Sequence, residues 1–332
     1  MRIWKSAVVI LVAALVAPAD GAAQSTAYTA EALTLSRAPG DLAGTLLLPQ
    51  VTGPVPIVLL IAGSGPTDRD GNGGGLKSAS LRQLAESLAV RQVATLRYDK
   101  RGVGGSISAS LPERDLRFET LADDVGAWVA RLASDKRFAR VIVAGHSEGA
   151  LLGLLALKDG RAAAYVSLAG PARPIHEVLH DQLAAQLPPA LLAQADTVLV
   201  QLRAGRTVVS TPLGLDALFR QSVQPYLISW MQYAGQSELA SVRVPCLIVQ
   251  GSNDFQVEPR EGEMLAKANP RCTLARIDGM NHVLKAAPAD RTAQTPTYLT
   301  PDAPLAPGLI DAIVTFVSSL KESMQRFSRT GR

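Results

Sequence analysis

Gly145-His146-Ser147-Glu148-Gly149 is the sharpest chemical signal in this chain. It follows an apolar strand-like run over 141–144 and precedes a helical pattern that starts at Gly149. A serine on a tight strand-to-helix turn projects its hydroxyl outward, and flanking glycines let the backbone pack closely enough to hold it there. The helix N-terminus beneath offers backbone N–H groups and a positive dipole end where an oxyanion forms. The chemistry predicted is nucleophilic attack by Ser147 on a carbonyl carbon.

Such a serine needs a base, and the base needs an orienting carboxylate. The four histidines are His146, His176, His180 and His282. His282 lies in Gly279-Met280-Asn281-His282, just after the last predicted strand, where a loop reaches the C-terminal edge of a sheet. Asp254, in Gly251-Ser252-Asn253-Asp254 after a strand over 246–250, is the preferred acid; Asp278 and Glu258 are rivals. Asp278 precedes His282 by only four residues, which makes a side-on approach hard. The chain order Ser147, Asp254, His282 is that of α/β hydrolases. An oxyanion hole requires two backbone donors. Ser64, in the loop after a strand over 57–62, is expected to supply one and Glu148 the other, with Gly65 as substitute for Ser64. His146 is expected to pack beneath the turn. The Glu148 side chain either attracts a cationic substrate group or pairs with an Arg at the pocket wall, the second being favoured.

A rival motif is His176-Glu177-Val178-Leu179-His180, the H-E-x-x-H pattern of zinc peptidases. The continuation Asp181-Gln182-Leu183 does not lead to a third ligand in the usual way, and the next Glu is Glu238. Lining of an acyl pocket is the favoured role for this helix.

These residues need a frame. Strands are predicted over 42–48, 57–62, 93–98, 141–144, 164–168, 246–250 and 272–277. Helices are predicted over 76–91, 119–133, 149–158, 261–269 and 309–323. Most strands read as continuous apolar runs, as strands covered on both faces do. The alternation means an α/β fold, a mostly parallel sheet with helices on both sides. Residues 171 to about 241 carry no convincing strand but show helical patterns at 177–186 and 215–232, punctuated by Pro188, Pro189 and Pro212. About seventy residues are too many for a loop, so they are expected to form a helical cap inserted over one end of the sheet.

The chain resembles bacterial α/β-hydrolase-fold esterases. The resemblance rests on Gly-Ser-Gly-Pro-Thr-Asp-Arg-Asp-Gly-Asn (63–72), Arg-Tyr-Asp-Lys-Arg-Gly-Val-Gly-Gly-Ser (97–106), Gly-His-Ser-Glu-Gly, and a Gly-x-x-Asp…Asn-His ending. It implies an eight-stranded sheet, no cofactor, and hydrolysis of carboxylic esters. Related sequences include esterases, thioesterases and peptidases, so the substrate does not carry over. The usual His before the oxyanion-loop glycine is Ala62 here, at little cost because the donor is backbone. Asp68, Arg69, Asp70 and Asn72 are expected to order that loop through local hydrogen bonds and an ion pair. Asp99, Lys100 and Arg101 are expected to do similar structural work.

Composition bounds the rest. The 332 residues are 47% hydrophobic and 19% charged, which excludes a disordered or fibrous chain. Lys+Arg exceed Asp+Glu by 33 to 29 without a dense basic run, and aromatics are 5%, so no nucleic-acid partner or base-stacking surface is expected. Arg2 and Lys5, an apolar run to Ala17 and the small residues Gly21, Ala22 and Ala23 have the order of a signal peptide. This predicts export to the periplasm or medium with no membrane insertion after cleavage. The expected domains are a signal peptide (1–23), a hydrolase core (24–170 and 242–332) and a cap (171–241).

Cys246 and Cys272 open neighbouring predicted strands in a chain expected to meet an oxidising compartment. Bridging adjacent parallel strands is geometrically awkward, so two buried thiols are the favoured reading. The expected reaction is cleavage of a small-molecule ester through an acyl-enzyme on Ser147. Three alternatives stand beside it: a peptidase or thioesterase on the same triad, a zinc peptidase on His176, Glu177 and His180, and a binding protein on a hydrolase scaffold.

Overall fold

The computed structural model describes residues 27–330, and the expected signal peptide lies outside them. Eight strands form one sheet: β1 (Tyr28–Arg37), β2 (Gly40–Pro49), β3 (Val55–Ile61), β4 (Ala94–Tyr98), β5 (Phe138–His146), β6 (Ala164–Leu168), β7 (Cys246–Gly251) and β8 (Thr273–Ile277). Their spatial order is β1-β2-β4-β3-β5-β6-β7-β8. β1 pairs antiparallel with β2, and β2 with β4; every later pair is parallel. The order reverses at β3, so the loops after β3 and β5 meet at a switch point, where open α/β sheets bind ligands.

The period-2 alternation of strand side chains divides the core into two layers. Ile57, Leu59 and Ile61 of β3, with Val141 and Val143 of β5, face the layer containing helices α2 (Phe118–Ala133) and α3 (Glu148–Ala156). Val58, Leu60, Ile142 and Ala144 face the opposite layer, built on α1 (Ser80–Val90) and the final helix (Leu309–Thr330). Covering on both faces explains the continuous apolar runs.

Between β6 and β7 the chain makes five helices: α4 (Ile175–Ala184), α5 (Pro189–Arg203), α6 (Asp216–Phe219), α7 (Gln224–Trp230) and α8 (Gly235–Ala240). The entry to this insert is tied to the core by Glu261 of α9 (Pro259–Ala268). Its carboxylate accepts the Ala172 and Arg173 N–H groups at 2.8 and 3.0 Å and pairs with the Arg173 side chain. The insert's far side is held by α7, where Trp230 stacks on Phe118 with ring centroids 5.4 Å apart. Ser229 Oγ also accepts the Phe118 N–H at 2.8 Å.

Three local expectations are corrected. The helix expected from Leu76 begins at Ser80, because Asn72–Gly73 pairs with Leu76–Lys77 in a small hairpin that turns through glycines. The helix expected over 215–232 is two, since Pro225 starts a new helix and the chain turns between them. The two cysteines form a disulfide, not a pair of thiols. Cys272 lies one residue before the first paired residue of β8, so no ladder bond fixes its spacing, and its Cα closes to 4.5 Å from that of Cys246. The cross-link closes 26 residues of chain, worth about 3 kcal/mol by loop-closure entropy. Replacing both cysteines by Ala is expected to lower unfolding stability by about that amount, read from the denaturant midpoint. An unchanged midpoint would show that the bond contributes nothing.

Candidate active site

The strand-to-helix turn between β5 and α3 places Ser147 at φ 54°, ψ −121°, a region that non-glycine residues rarely adopt. Two close approaches keep it there. A Cβ on Gly145 would lie 2.0 Å from the Gly149 carbonyl oxygen, and one on Gly149 would lie 2.5 Å from that of Ile61. Only glycine fits either position. The Ser147 N–H donates to Leu168 O at the end of β6, 2.9 Å away, which ties the turn to the neighbouring strand.

His282 and Asp254 come from the loops after β8 and β7. The loops are joined by the Asn253 N–H donating to Met280 O at 3.0 Å. His282 Nδ1 lies 2.9 Å from Asp254 Oδ2, and both side chains are buried. The other oxygen, Oδ1, accepts the N–H groups of Gln256 and Val257 at 2.9 Å each, so the carboxylate cannot swing away. The rival acids are elsewhere: Asp278 accepts from Ser252 Oγ at 3.1 Å, and Glu258 pairs with Arg260.

His146 links the turn to the His282 loop. Its Nε2–H donates to the His282 carbonyl at 2.7 Å, and the two rings lie 4.9 Å apart. Burial, then the neighbouring His282, push its pKa down to about 4, so at neutral pH it is an uncharged packing group.

The loop expected to supply an oxyanion donor passes beside the turn. A Cβ built on Gly63 would lie 3.3 Å from the Ser147 Cβ, so the Gly63–Ser64 backbone runs alongside the serine. Ser64 itself is exposed. The motif over 63–72 holds the loop by the local bonds expected of it. Asp68 Oδ1 accepts the Asp70 and Asn72 N–H groups at 2.9 and 2.8 Å, and Asp70 pairs with Arg97 at 2.8 Å.

The three charged residues after β4 each take a different partner. Asp99 accepts the Arg69 N–H at 2.8 Å and its guanidinium at 2.6 Å. Burial pushes the Asp99 carboxyl up, but these bonds and the Gly105 N–H outweigh it and hold the pKa below the ordinary value. Arg101 pairs with Asp124 of α2 at 2.6 Å. Lys100 turns inward, and its Nζ donates to the Gly63 carbonyl at 2.5 Å and to Glu148 Oε2 at 2.9 Å. Glu148 therefore pairs with a lysine, not the arginine expected. Its second oxygen, Oε1, accepts the hydroxyl of Tyr226 from α7. Burial and the Glu148 carboxylate raise the Tyr226 pKa well above the ordinary value, so its hydroxyl stays a donor. Sequence reasoning gave Lys100 a structural role only and passed over Tyr226. Lys100 stands inside a motif, whereas Tyr226 lies in a helix without one.

The second motif is dispersed. His176 and His180 lie one turn apart on α4, and His180 Nδ1 meets Asp196 of α5 at 2.6 Å. Both ring nitrogens of His176 are without a hydrogen-bond partner, and among the described residues no group of three His, Cys, Asp or Glu side chains is arranged to hold a metal.

A model of the family described as serine aminopeptidase, S33, matches residues 72–286 of this chain. The chain belongs to the serine aminopeptidase S33 family. The match takes in Ser147, Asp254, His282 and all five inserted helices, while Ser64 precedes it. Outside the family model, this S33 chain is 28% identical to esterase EstD of Thermotoga maritima over 256 residues. That similarity covers 73% of this chain and 58% of EstD, so the chain spans less than two thirds of the length of the curated relatives it matches. Its fold is shared with Est1E from Butyrivibrio proteoclasticus, at TM-score 0.57 and 18% identity over 88% of this chain and 99% of that one. The esterase Pf2001 from Pyrococcus furiosus gives TM-score 0.55 and 17% identity over 88% and 91%. The S33 chain thus has the α/β-hydrolase fold.

Proposed function

We propose that this α/β hydrolase cleaves small-molecule carboxylic esters through an acyl-enzyme on Ser147. The observation that carries the reading is the buried Asp254–His282 pair, 2.9 Å apart, on loops joined to the turn that bears Ser147. His282 takes the Ser147 proton as Oγ bonds to the ester carbonyl carbon. The N–H groups of Ser64 and Glu148 receive the oxyanion. Collapse breaks the bond to the leaving alkoxide, which collects the proton from His282. Water then repeats both steps on the acyl-enzyme and frees Ser147. Asp254 holds the His282 tautomer with Nδ1 protonated, so that Nε2 is free to act as base.

Two observations favour esters over peptides with a free amino terminus. A substrate ammonium needs an unspent carboxylate near the serine. The nearest in sequence, Glu148, is already occupied on both oxygens by Lys100 and Tyr226. EstD, similar over most of this chain, is named an esterase. The Cys246–Cys272 disulfide supports the export proposed from the N-terminal sequence, because such bonds persist in oxidising compartments. A zinc mechanism would need a third ligand beside His176 and His180, and the arrangement of α4 and α5 supplies none within the described residues.

The test is a panel of p-nitrophenyl acyl esters set beside aminoacyl p-nitroanilides, each with and without a chelator. Ester turnover that the chelator leaves unchanged, with anilide turnover at least about 100-fold slower, is the expected result. Faster anilide cleavage would make the protein a peptidase. Loss of activity to the chelator would transfer the chemistry to the α4 histidines, and ligand binding without turnover would make it a binding protein.

A further inference from the structure

We propose that Lys100 is the positioning residue of the oxyanion hole, and that helix α7 reaches the hole through Tyr226 and Glu148. The inference rests on the serine-hydrolase reading and adds the residue that aligns its two donors. A peptide unit is planar and trans, so the carbonyl of Gly63 and the N–H of Ser64 belong to one rigid group and point in opposite directions. The Lys100 ammonium, bonded to that carbonyl at 2.5 Å, therefore sets the direction in which the Ser64 N–H points. A hydrogen bond on the carbonyl also polarises the peptide and makes its N–H a better donor. The same ammonium holds the side chain of Glu148 at 2.9 Å, and the backbone N–H of Glu148 is the second proposed donor. One buried cation thus joins the loop after β3 to the start of α3, 37 and 48 residues from it in sequence.

The geometry extends to the insert. Lys100 and Glu148 are 4% and 1% exposed, and Tyr226 covers the remaining carboxylate oxygen. A buried carboxylate with one oxygen unpaired is costly, so the pair is fully satisfied only while α7 is docked. Docking of α7 on Phe118 and alignment of the oxyanion donors are therefore one event, not two.

The experiment compares wild type with Lys100→Met, the double variant Lys100→Met/Glu148→Gln, and Tyr226→Phe. Three readouts are taken: ester kcat and KM, the rate of Ser147 labelling by a fluorophosphonate, and the thermal midpoint. Lys100→Met is expected to lose about 100-fold in kcat and in labelling rate, with KM moving by less than about threefold, as removal of one oxyanion donor does. The double variant removes the unpaired carboxylate and should recover the thermal midpoint while staying slow. Tyr226→Phe should lose about tenfold in kcat, the value of one hydrogen bond to a charged group. Labelling of Lys100→Met at the wild-type rate would overturn the proposal and leave the serine reading intact. Recovery of kcat in the double variant would overturn it as well, because the loss would then be one of folding. Failure of the wild type to be labelled would overturn the serine reading itself, and this proposal with it.

Discussion

Ser147→Ala is expected to lower ester kcat by about four orders of magnitude or more. The substitution removes the Oγ that the proposed reaction bonds to the substrate, and nothing else. Alanine keeps the Cβ, so the φ of 54° costs the variant no more than it costs the serine, and the 3.3 Å approach of Gly63 to that Cβ is undisturbed. The proposed donors, the N–H groups of Ser64 and Glu148, keep their places, with Lys100 still bonded to the Gly63 carbonyl, which leaves the residual rate such holes give on their own. The thermal midpoint should move by no more than about 2 °C. A variant within about tenfold of wild type would remove Ser147 from the reaction, whatever the activity of the parent.

Asp254→Asn should lose about 10⁴-fold in kcat while remaining folded. The reason lies in the surroundings of the carboxylate. The N–H groups of Gln256 and Val257 both point at Oδ1, and only an oxygen can accept them. An asparagine must therefore place its carbonyl there and turn its NH₂ toward His282 Nδ1. Nδ1 then becomes an acceptor, the proton moves to Nε2, and the imidazole can no longer take a proton from Ser147. Because the two groups act as a unit, the double variant Ser147→Ala/Asp254→Asn should be no slower than Ser147→Ala alone. A loss below about tenfold would mean that another group orients His282.

The parts of this site that are legible in the sequence are those made by neighbours in the chain. Gly145, Ser147 and Gly149 sit within five residues, and the clash that requires Gly145 arises inside that turn, although the one that requires Gly149 is with Ile61 of β3. The local bonds of the 63–72 loop, such as Asp68 to Asp70 and Asn72, are of the same kind. Strand β1 is not among the strands picked out by pattern, because it lies at the sheet edge and only alternate residues are part-buried. The partner of Glu148 is not legible for a different reason. Carboxylates attract lysine and arginine alike, and the identity of the residue that reaches it depends on how the β4 loop passes over the β5 turn.

The amino-acid sequence by itself determined the layered α/β-hydrolase core and the position of the Ser147 turn, since each depends on periodicity or on a short motif. Tertiary structure decided which carboxylate meets His282, choosing Asp254 28 residues away over Asp278 four residues away. It also decided that Cys246 and Cys272 join, and that Lys100, Glu148 and Tyr226 form one buried network across 126 residues of chain. The physical reason is common to all three. Contacts within a turn are fixed by bond lengths and dihedral angles, whereas contacts between distant residues exist only after the sheet order has placed their loops at the same edge.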